Sequence, residues 1–207
     1  VERSRGLGDV YKRQRQALGL PMTPVIIGAI GRLVPIKGHA HLIRAFAVVS
    51  QEFPHAHLAI IGGGREQDNL AALIAESGLQ ERVHLCGTQP DAMRYVRAFD
   101  IFTMPSLQEG LGLALLEGMS GRLPVMGSDI PAMRPLLQGA GGRLFNPGDV
   151  ASLTEQLRAG LADSEAERAA QGERAYRYLR REHDIDDFRR KYRELLEGDQ
   201  PLTGSSS

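Results

Sequence analysis

The chain has 207 residues, 25 basic and 25 acidic, for a formal net charge of zero, and 42% of its residues are hydrophobic. That balance lacks the basic surplus of a nucleic-acid-binding domain. Its one cysteine excludes an internal disulfide and a Cys-rich zinc site, and no apolar run approaches the roughly 20 residues of a membrane span. The 24 glycines exceed the usual frequency of about 7% and point to tight strand-to-helix turns. With no Trp and 5% aromatic residues, an aromatic sugar platform or a base-stacking surface is disfavoured.

In chain order, residues 1–14 begin without Met and carry no apolar periodicity, and are expected to flank the fold. Residues 15–200 read as one domain and 201–207 as a tail. Val25 to Ile30 is strand-like and rich in β-branched residues. From Lys37 onward, Leu42, Ile43, Phe46, Ala47 and Val49 follow helical spacing. Leu58 to Ile61 predicts a second strand closed by Gly62-Gly63-Gly64, followed by a helix with Leu70, Leu73 and Ile74 on one face. Val83 to Leu85, Ile101 to Met104, Pro124 to Met126 and Arg143 to Phe145 supply four more short strands, each separated from the next by a helical candidate. From Asp149 to Glu197 only helical pattern with balanced charge remains. It reads as a solvated face on two helices, whose apolar stripe is Tyr176, Leu179, Phe188, Tyr192, Leu195 and Leu196.

Strands apolar on both faces and alternating with helices require a parallel sheet covered on both sides. The right-handed crossover rule makes this a Rossmann-like, doubly wound α/β sheet of about six strands, with additional C-terminal helices. A ligand belongs at the carboxyl ends of such strands.

Several catalytic signatures are missing. There is no GxxxxGK[ST] phosphate loop and no GxSxG elbow. Gly110-Leu111-Gly112 is followed by Leu115 where a dinucleotide fingerprint needs its third Gly. His39 with His41, and His55 with His57, are i, i+2 pairs that share no helix face and have no further ligands nearby, so no metal site is expected. Cys86 reads as a core thiol. Asp184-Ile185-Asp186 resembles an acidic metal-binding pair, but its place at a helix start makes it a cap.

The informative stretch is Pro105 to Glu117. A strand ends, Gly110 and Gly112 permit a tight turn, and a helix begins whose free amides suit phosphate. Glu109 precedes the turn, and Glu117 is expected about two helical turns inside. Carboxylates beside an anion site make sense when the ligand also offers hydroxyls, as a nucleotide sugar does. Arg32 follows the first strand and Lys37 opens the next helix, placing two cations at the same rim.

These segments resemble the family-4 retaining glycosyltransferases of the GT-B fold. The matching set comprises Gly31-Arg32-Leu33 with Lys37-Gly38, Ile60 to Gly64, Val83 to Gly87, Ala98-Phe99-Asp100, Pro105-Ser106, the Glu109-x(7)-Glu117 element and Leu123-Pro124-Val125. The sequence departs from the family at Gly118-Met119-Ser120, where Ala-Met-Ala is usual, and at Pro135, where an acid is usual. The resemblance implies that Arg32 and Lys37 neutralise the leaving diphosphate. Glu109 touches the transferred sugar, helped by the Leu111 and Gly112 amides at the Gly110 turn. Amides of Leu113 and Ala114 meet phosphate, Glu117 holds the ribose, and Thr88 and Gln89 border the base. It implies no metal or other cofactor, with a UDP-, GDP- or ADP-sugar as substrate. It also implies that the chain is the C-terminal donor-binding half of a cytoplasmic enzyme, whose peripheral membrane association stays open. The acceptor-binding N-terminal domain is expected to be absent, leaving this half inactive alone. The alternatives are a stand-alone nucleotide-binding or regulatory module, a GT-B-like epimerase or phosphorylase, and a structural domain with an inert site.

Overall fold

The computed structural model describes residues 2–182, with side chains from Val10 onward. The six expected strands all form: β1 (Ile26–Ile30), β2 (His57–Ile61), β3 (Val83–Leu85), β4 (Ile101–Met104), β5 (Val125–Ser128) and β6 (Arg143–Phe145). They make one sheet in the order β3-β2-β1-β4-β5-β6, with every neighbouring pair parallel. The helices are α1 (Glu2–Ala17), α2 (His39–Glu52), α3 (Gln67–Glu76), α4 (Leu113–Ser120), α5 (Arg134–Ala140), α6 (Val150–Ala162) and α7 (Glu165–Glu182).

Two cores result from the strand period of two. Ile27, Ala29, Leu58, Ile60 and Ile101 point to one face and pack with Leu42, Phe46 and Val49 of α2 and Leu153 and Leu157 of α6. Ile26, Ala59, Ile61 and Phe102 point to the other and meet Leu115 and Met119 of α4, Leu137 of α5, and Ala175 and Leu179 of α7. The charged last third is helical as far as it is described, with Leu179 in the core as expected; Ala175 and Tyr178 pack inward beside it, whereas Tyr176 of the expected stripe lies under the Arg122 guanidinium. Asp149 caps α6 by accepting from the Ser152 N–H at 3.0 Å. Ser164 and Glu167 start α7 with a reciprocal capping box, the Glu167 carboxylate accepting from the Ser164 amide at 2.7 Å and the Glu167 amide donating to the Ser164 hydroxyl at 3.2 Å. The Asp184–Asp186 cap and the stripe residues Phe188, Tyr192, Leu195 and Leu196 lie outside the described residues.

The order 3-2-1-4-5-6 reverses direction between β1 and β4. Chains leaving these neighbours diverge to opposite faces and open a crevice at their carboxyl ends.

Residues 2–14, expected only to flank the fold, are helical and run into Arg15, whose side chain is wholly buried. Apolar periodicity misses this helix because a cation anchors it. Arg15 Nε donates to the Ala98 carbonyl at 2.9 Å, and Nη1 donates to the carbonyls of Pro21, Met22 and Pro24 at 3.1, 3.2 and 2.9 Å. Nη2 meets Asp100 Oδ2 at 2.6 Å, and Tyr11 packs its ring against the guanidinium. Asp100 Oδ2 also accepts from the Ile26 amide at 2.7 Å, so the pair ties the chain before β1 to the start of β4. Burial pushes the Asp100 carboxyl up, opposed by Arg15 and the Ile26 N–H. Breaking a buried pair by deleting one partner destabilises by about 3–5 kcal/mol. Arg15→Met is therefore expected to lower the unfolding free energy by about that amount in a urea titration; a loss below about 1 kcal/mol would contradict the anchoring role.

Candidate active site

The loops after β1 and β4 meet across the crevice. After β1 the chain passes Arg32 and makes a 3-10 turn over Pro35–Lys37 before α2 begins at His39. Lys37 thus lies in this turn rather than opening the helix, because Pro35 sets the turn and Gly38 ends it in a left-handed conformation, φ 70°. A Cβ on Gly38 would stand 2.0 Å from the Pro105 carbonyl oxygen, so only glycine permits this approach. Two residues away on each loop, the Leu107 amide donates to the Ile36 carbonyl at 2.8 Å.

This contact sets Lys37 against Glu109. The Lys37 ammonium forms an ion pair with Glu109 Oε1, and the same oxygen accepts from the Ser106 hydroxyl at 2.7 Å. Ser106 is buried, 1% exposed. Ser106 escaped notice as a working residue in the sequence, although its spacing to Glu109 is the Ser-x-x-Glu of a capping box. Gly112 then adopts φ 62° and starts α4 with no side-chain cap, leaving the Leu113 and Ala114 end of the helix as a positive dipole terminus. Of the two glycines expected to shape this turn, only Gly112 is left-handed; Gly110 is not among the positive-φ residues. Leu111 between them is 66% exposed.

Glu117 lies four residues past the first residue of α4, just over one helical turn rather than two. It has no exposed surface. Arg32 is exposed and lines a hollow of about 610 Å³ with Pro35, Ile36, Gly63, Gly64 and Arg65. Arg65 brings a second cation there that the sequence reading did not select, since its loop is placed beside Arg32 only by the pairing of β2 with β1. The loop after β3 adjoins in turn: a Cβ on Gly63 would lie 2.3 Å from the Thr88 hydroxyl. Gln89 is held by its side-chain amide donating to the Cys86 carbonyl at 2.8 Å. Thr88, Gln89, Arg32, Lys37, Glu109 and the start of α4 therefore share the carboxyl rim of four adjacent strands. Cys86 is half-buried, and burial pushes its thiol up to about 11, which keeps it an unreactive thiol at neutral pH.

No group of three or more His, Cys, Asp or Glu among the described residues is arranged to hold a metal ion. His57 and His84 do approach, with Nδ1 and Nε2 3.0 Å apart. Their rings are 11° from parallel with centroids 5.3 Å apart, which is the end-on geometry of one ring donating to the other. A second hollow, about 560 Å³, lies at the opposite, amino ends of β1, β4 and β5 beside Tyr11, Asp100, Arg122 and Arg168. It contains none of the expected site residues.

The sheet, with helices on both faces and its order reversing between β1 and β4, defines a Rossmann-like domain. Over residues 10–178 the chain matches the family Glycosyl transferases group 1, and it belongs to that family. It is 30% identical over 160 residues to the lipopolysaccharide core biosynthesis glycosyltransferase LpsE of Rhizobium meliloti (strain 1021), an overlap of 77% of this chain and 46% of LpsE. The structure of Anabaena HepE in complex with UDP matches with a TM-score of 0.78 at 25% identity, over 92% of this chain and 53% of HepE. The C-terminal domain of LpcC from Francisella tularensis, a group 1 glycosyl transferase, matches with a TM-score of 0.71 at 22% identity, over 83% of this chain and 92% of that domain. The chain thus spans about half the length or less of LpsE and HepE. No helix among the described residues is long and apolar enough to cross a membrane.

Beneath the loop carrying Arg32 and Lys37 sits His39, 4% exposed. Burial lowers its pKa to about 4, against the opposing pull of the Gly31 and Arg32 backbone and with help from the Lys37 charge. The unfolded value is near 6.5, so between pH 6.5 and 4 the unfolded chain binds more protons. The stability linked to neutral His39 is complete above pH 6.5 and is lost as pH falls through that window, by about 3 kcal/mol in all. Denaturation at pH 7, 5 and 4 is expected to show the wild type losing that much more stability on acidification than His39→Gln; parallel pH dependences would contradict it.

Proposed function

We propose that this chain binds the donor in a retaining hexosyl transfer from a nucleoside diphosphate sugar, as the C-terminal half of a family-4 enzyme. The observation that carries the reading is the Lys37–Glu109–Ser106 cluster beside the uncapped start of α4. A carboxylate held by an ammonium and a hydroxyl suits vicinal sugar hydroxyls, and the adjacent helix terminus suits phosphate. Family membership supports the transferase class, and the partial overlap with LpsE and HepE supports a further, acceptor-binding domain.

In this reading Arg32 and Lys37 neutralise the diphosphate as it leaves, with the Leu113 and Ala114 amides on its oxygens. That is charge stabilisation of the kind a metal otherwise supplies, aimed where negative charge develops. Glu109 accepts from the transferred sugar, with the amides of Leu111 and Gly112 nearby. Thr88 and Gln89 border the base. The distance from the loop after β3 to the loop after β4 is three strand spacings, about 14 Å, which accommodates an extended nucleoside diphosphate. Glu117 is the ribose acceptor, and because it is wholly buried the ribose reaches it only as the surrounding residues move. The acceptor site belongs to the other half, so the isolated chain binds donor and transfers little. A cytoplasmic location, with peripheral attachment where an acceptor is lipid-linked, accompanies the same reading.

UDP, GDP and ADP titrated calorimetrically into the chain are expected to yield one binding nucleotide, with UDP first in line given its presence in the HepE structure. Arg32→Ala removes charge-assisted contacts worth about 1.5–3 kcal/mol, a loss of about 10- to 150-fold in diphosphate affinity, with the free nucleoside unaffected. Equal losses for nucleoside and diphosphate, or no binding by the wild type, would contradict the proposal.

A further inference from the structure

Glu109 presents its two carboxylate oxygens unequally. Oε1 accepts from both Lys37 and Ser106, which leaves Oε2 as the oxygen available to a ligand hydroxyl. Glu109 stands on a short glycine-bounded loop and has three rotatable side-chain bonds, so its orientation must be imposed from outside. Lys37 alone is a poor guide, because an ammonium on a long stem is a rotatable point charge.

Ser106 is a far stiffer reference. Its neighbours on both sides are pinned to the opposing loop, the Pro105 carbonyl against Gly38 and the Leu107 amide on the Ile36 carbonyl at 2.8 Å. Its side chain is buried and short, and its hydroxyl donates to Glu109 Oε1 at 2.7 Å. We infer that Ser106 is a positioning residue for sugar recognition: by holding Oε1 it turns Oε2 of Glu109 toward the donor's sugar hydroxyls. This inference rests on the donor-binding reading above. It assigns the serine to discrimination between a nucleotide sugar and the bare nucleoside diphosphate, without contact to either.

The quantity to read is the sugar increment, the ratio of affinities for UDP-glucose and UDP, or for GDP-mannose and GDP or ADP-glucose and ADP if that nucleotide binds instead. Calorimetry on the whole chain, with melting temperatures alongside, compares wild type, Ser106→Ala, Ser106→Thr, Glu109→Ala and the double variant Ser106→Ala/Glu109→Ala. Ser106→Ala is expected to lower the sugar increment about fivefold, a coupling ordinary for contacting groups, while nucleoside diphosphate affinity changes less than about twofold. Ser106→Thr restores the increment, and in the Glu109→Ala background the serine substitution has no further effect. A hydroxyl that only satisfies buried polarity would lower the melting temperature and leave the increment intact, or lower it equally in both backgrounds; either result overturns the inference. Failure of the wild type to bind any of the diphosphates would instead remove the donor-binding reading on which it stands.

Discussion

A single close approach organises the functional end of this molecule: the α-carbon of Gly38 lies against the Pro105 carbonyl. Any side chain there would separate the loop leaving β1 from the loop leaving β4, and a left-handed backbone at the same residue lets the 3-10 turn hand over directly to α2. With the loops this near, Ile36 and Leu107 can pair through their backbones, and Lys37 can reach Glu109. The chemistry of the crevice is thus a consequence of a packing constraint. A cation from one βα loop and a carboxylate from another are brought into contact because the strands bearing them are neighbours at the switch point.

The opposite end of the sheet is built on a different interaction. There the wholly buried Arg15 satisfies carbonyls of the chain entering β1 and of the segment entering β4, and closes on Asp100 at the entrance to β4. The same two central strands are therefore clamped at both ends, by a charge network at their amino ends and by loop contact at their carboxyl ends. A clamp of this kind matters for a rim whose charged groups come from separate loops, since their spacing is only as fixed as the strands beneath them.

Much of this was legible in the sequence, and the reason differs by element. The central strands announced themselves as short apolar runs, Ile26–Ile30 and Ile101–Met104 among them, because both faces of the sheet are covered there; the edge strands β3 and β6 are half-buried and carry His84 and Arg143 within their three residues. The common placement of Arg32, Lys37 and Glu109 at the carboxyl rim was legible because each follows a strand that the sequence marks; singly, each charge reads as a solvated loop residue. What escaped was whatever depends on tertiary partners. The first helix escaped because its buried anchor, Arg15, is a guanidinium bonded to carbonyls and not an apolar side chain. Arg65 joins the hollow beside Arg32 only after β2 pairs with β1, and the imidazole of His39 is buried beneath the loop after β1 only once α2 folds back. The depth of Glu117 follows from where α4 begins, which Gly112 decides and Gly110 does not.

The proposed donor site lies at the carboxyl ends of β1 and β4, and the hollow at the amino ends of the same strands is its rival. Amide chemical-shift mapping in a titration with UDP, repeated with GDP and ADP, tests the proposed site most directly. Binding at the proposed site is expected to concentrate the perturbations at residues 31–38, 63–65, 88–89 and 106–114. Perturbations concentrated instead around Tyr11, Asp100, Arg122 and Arg168 would contradict it.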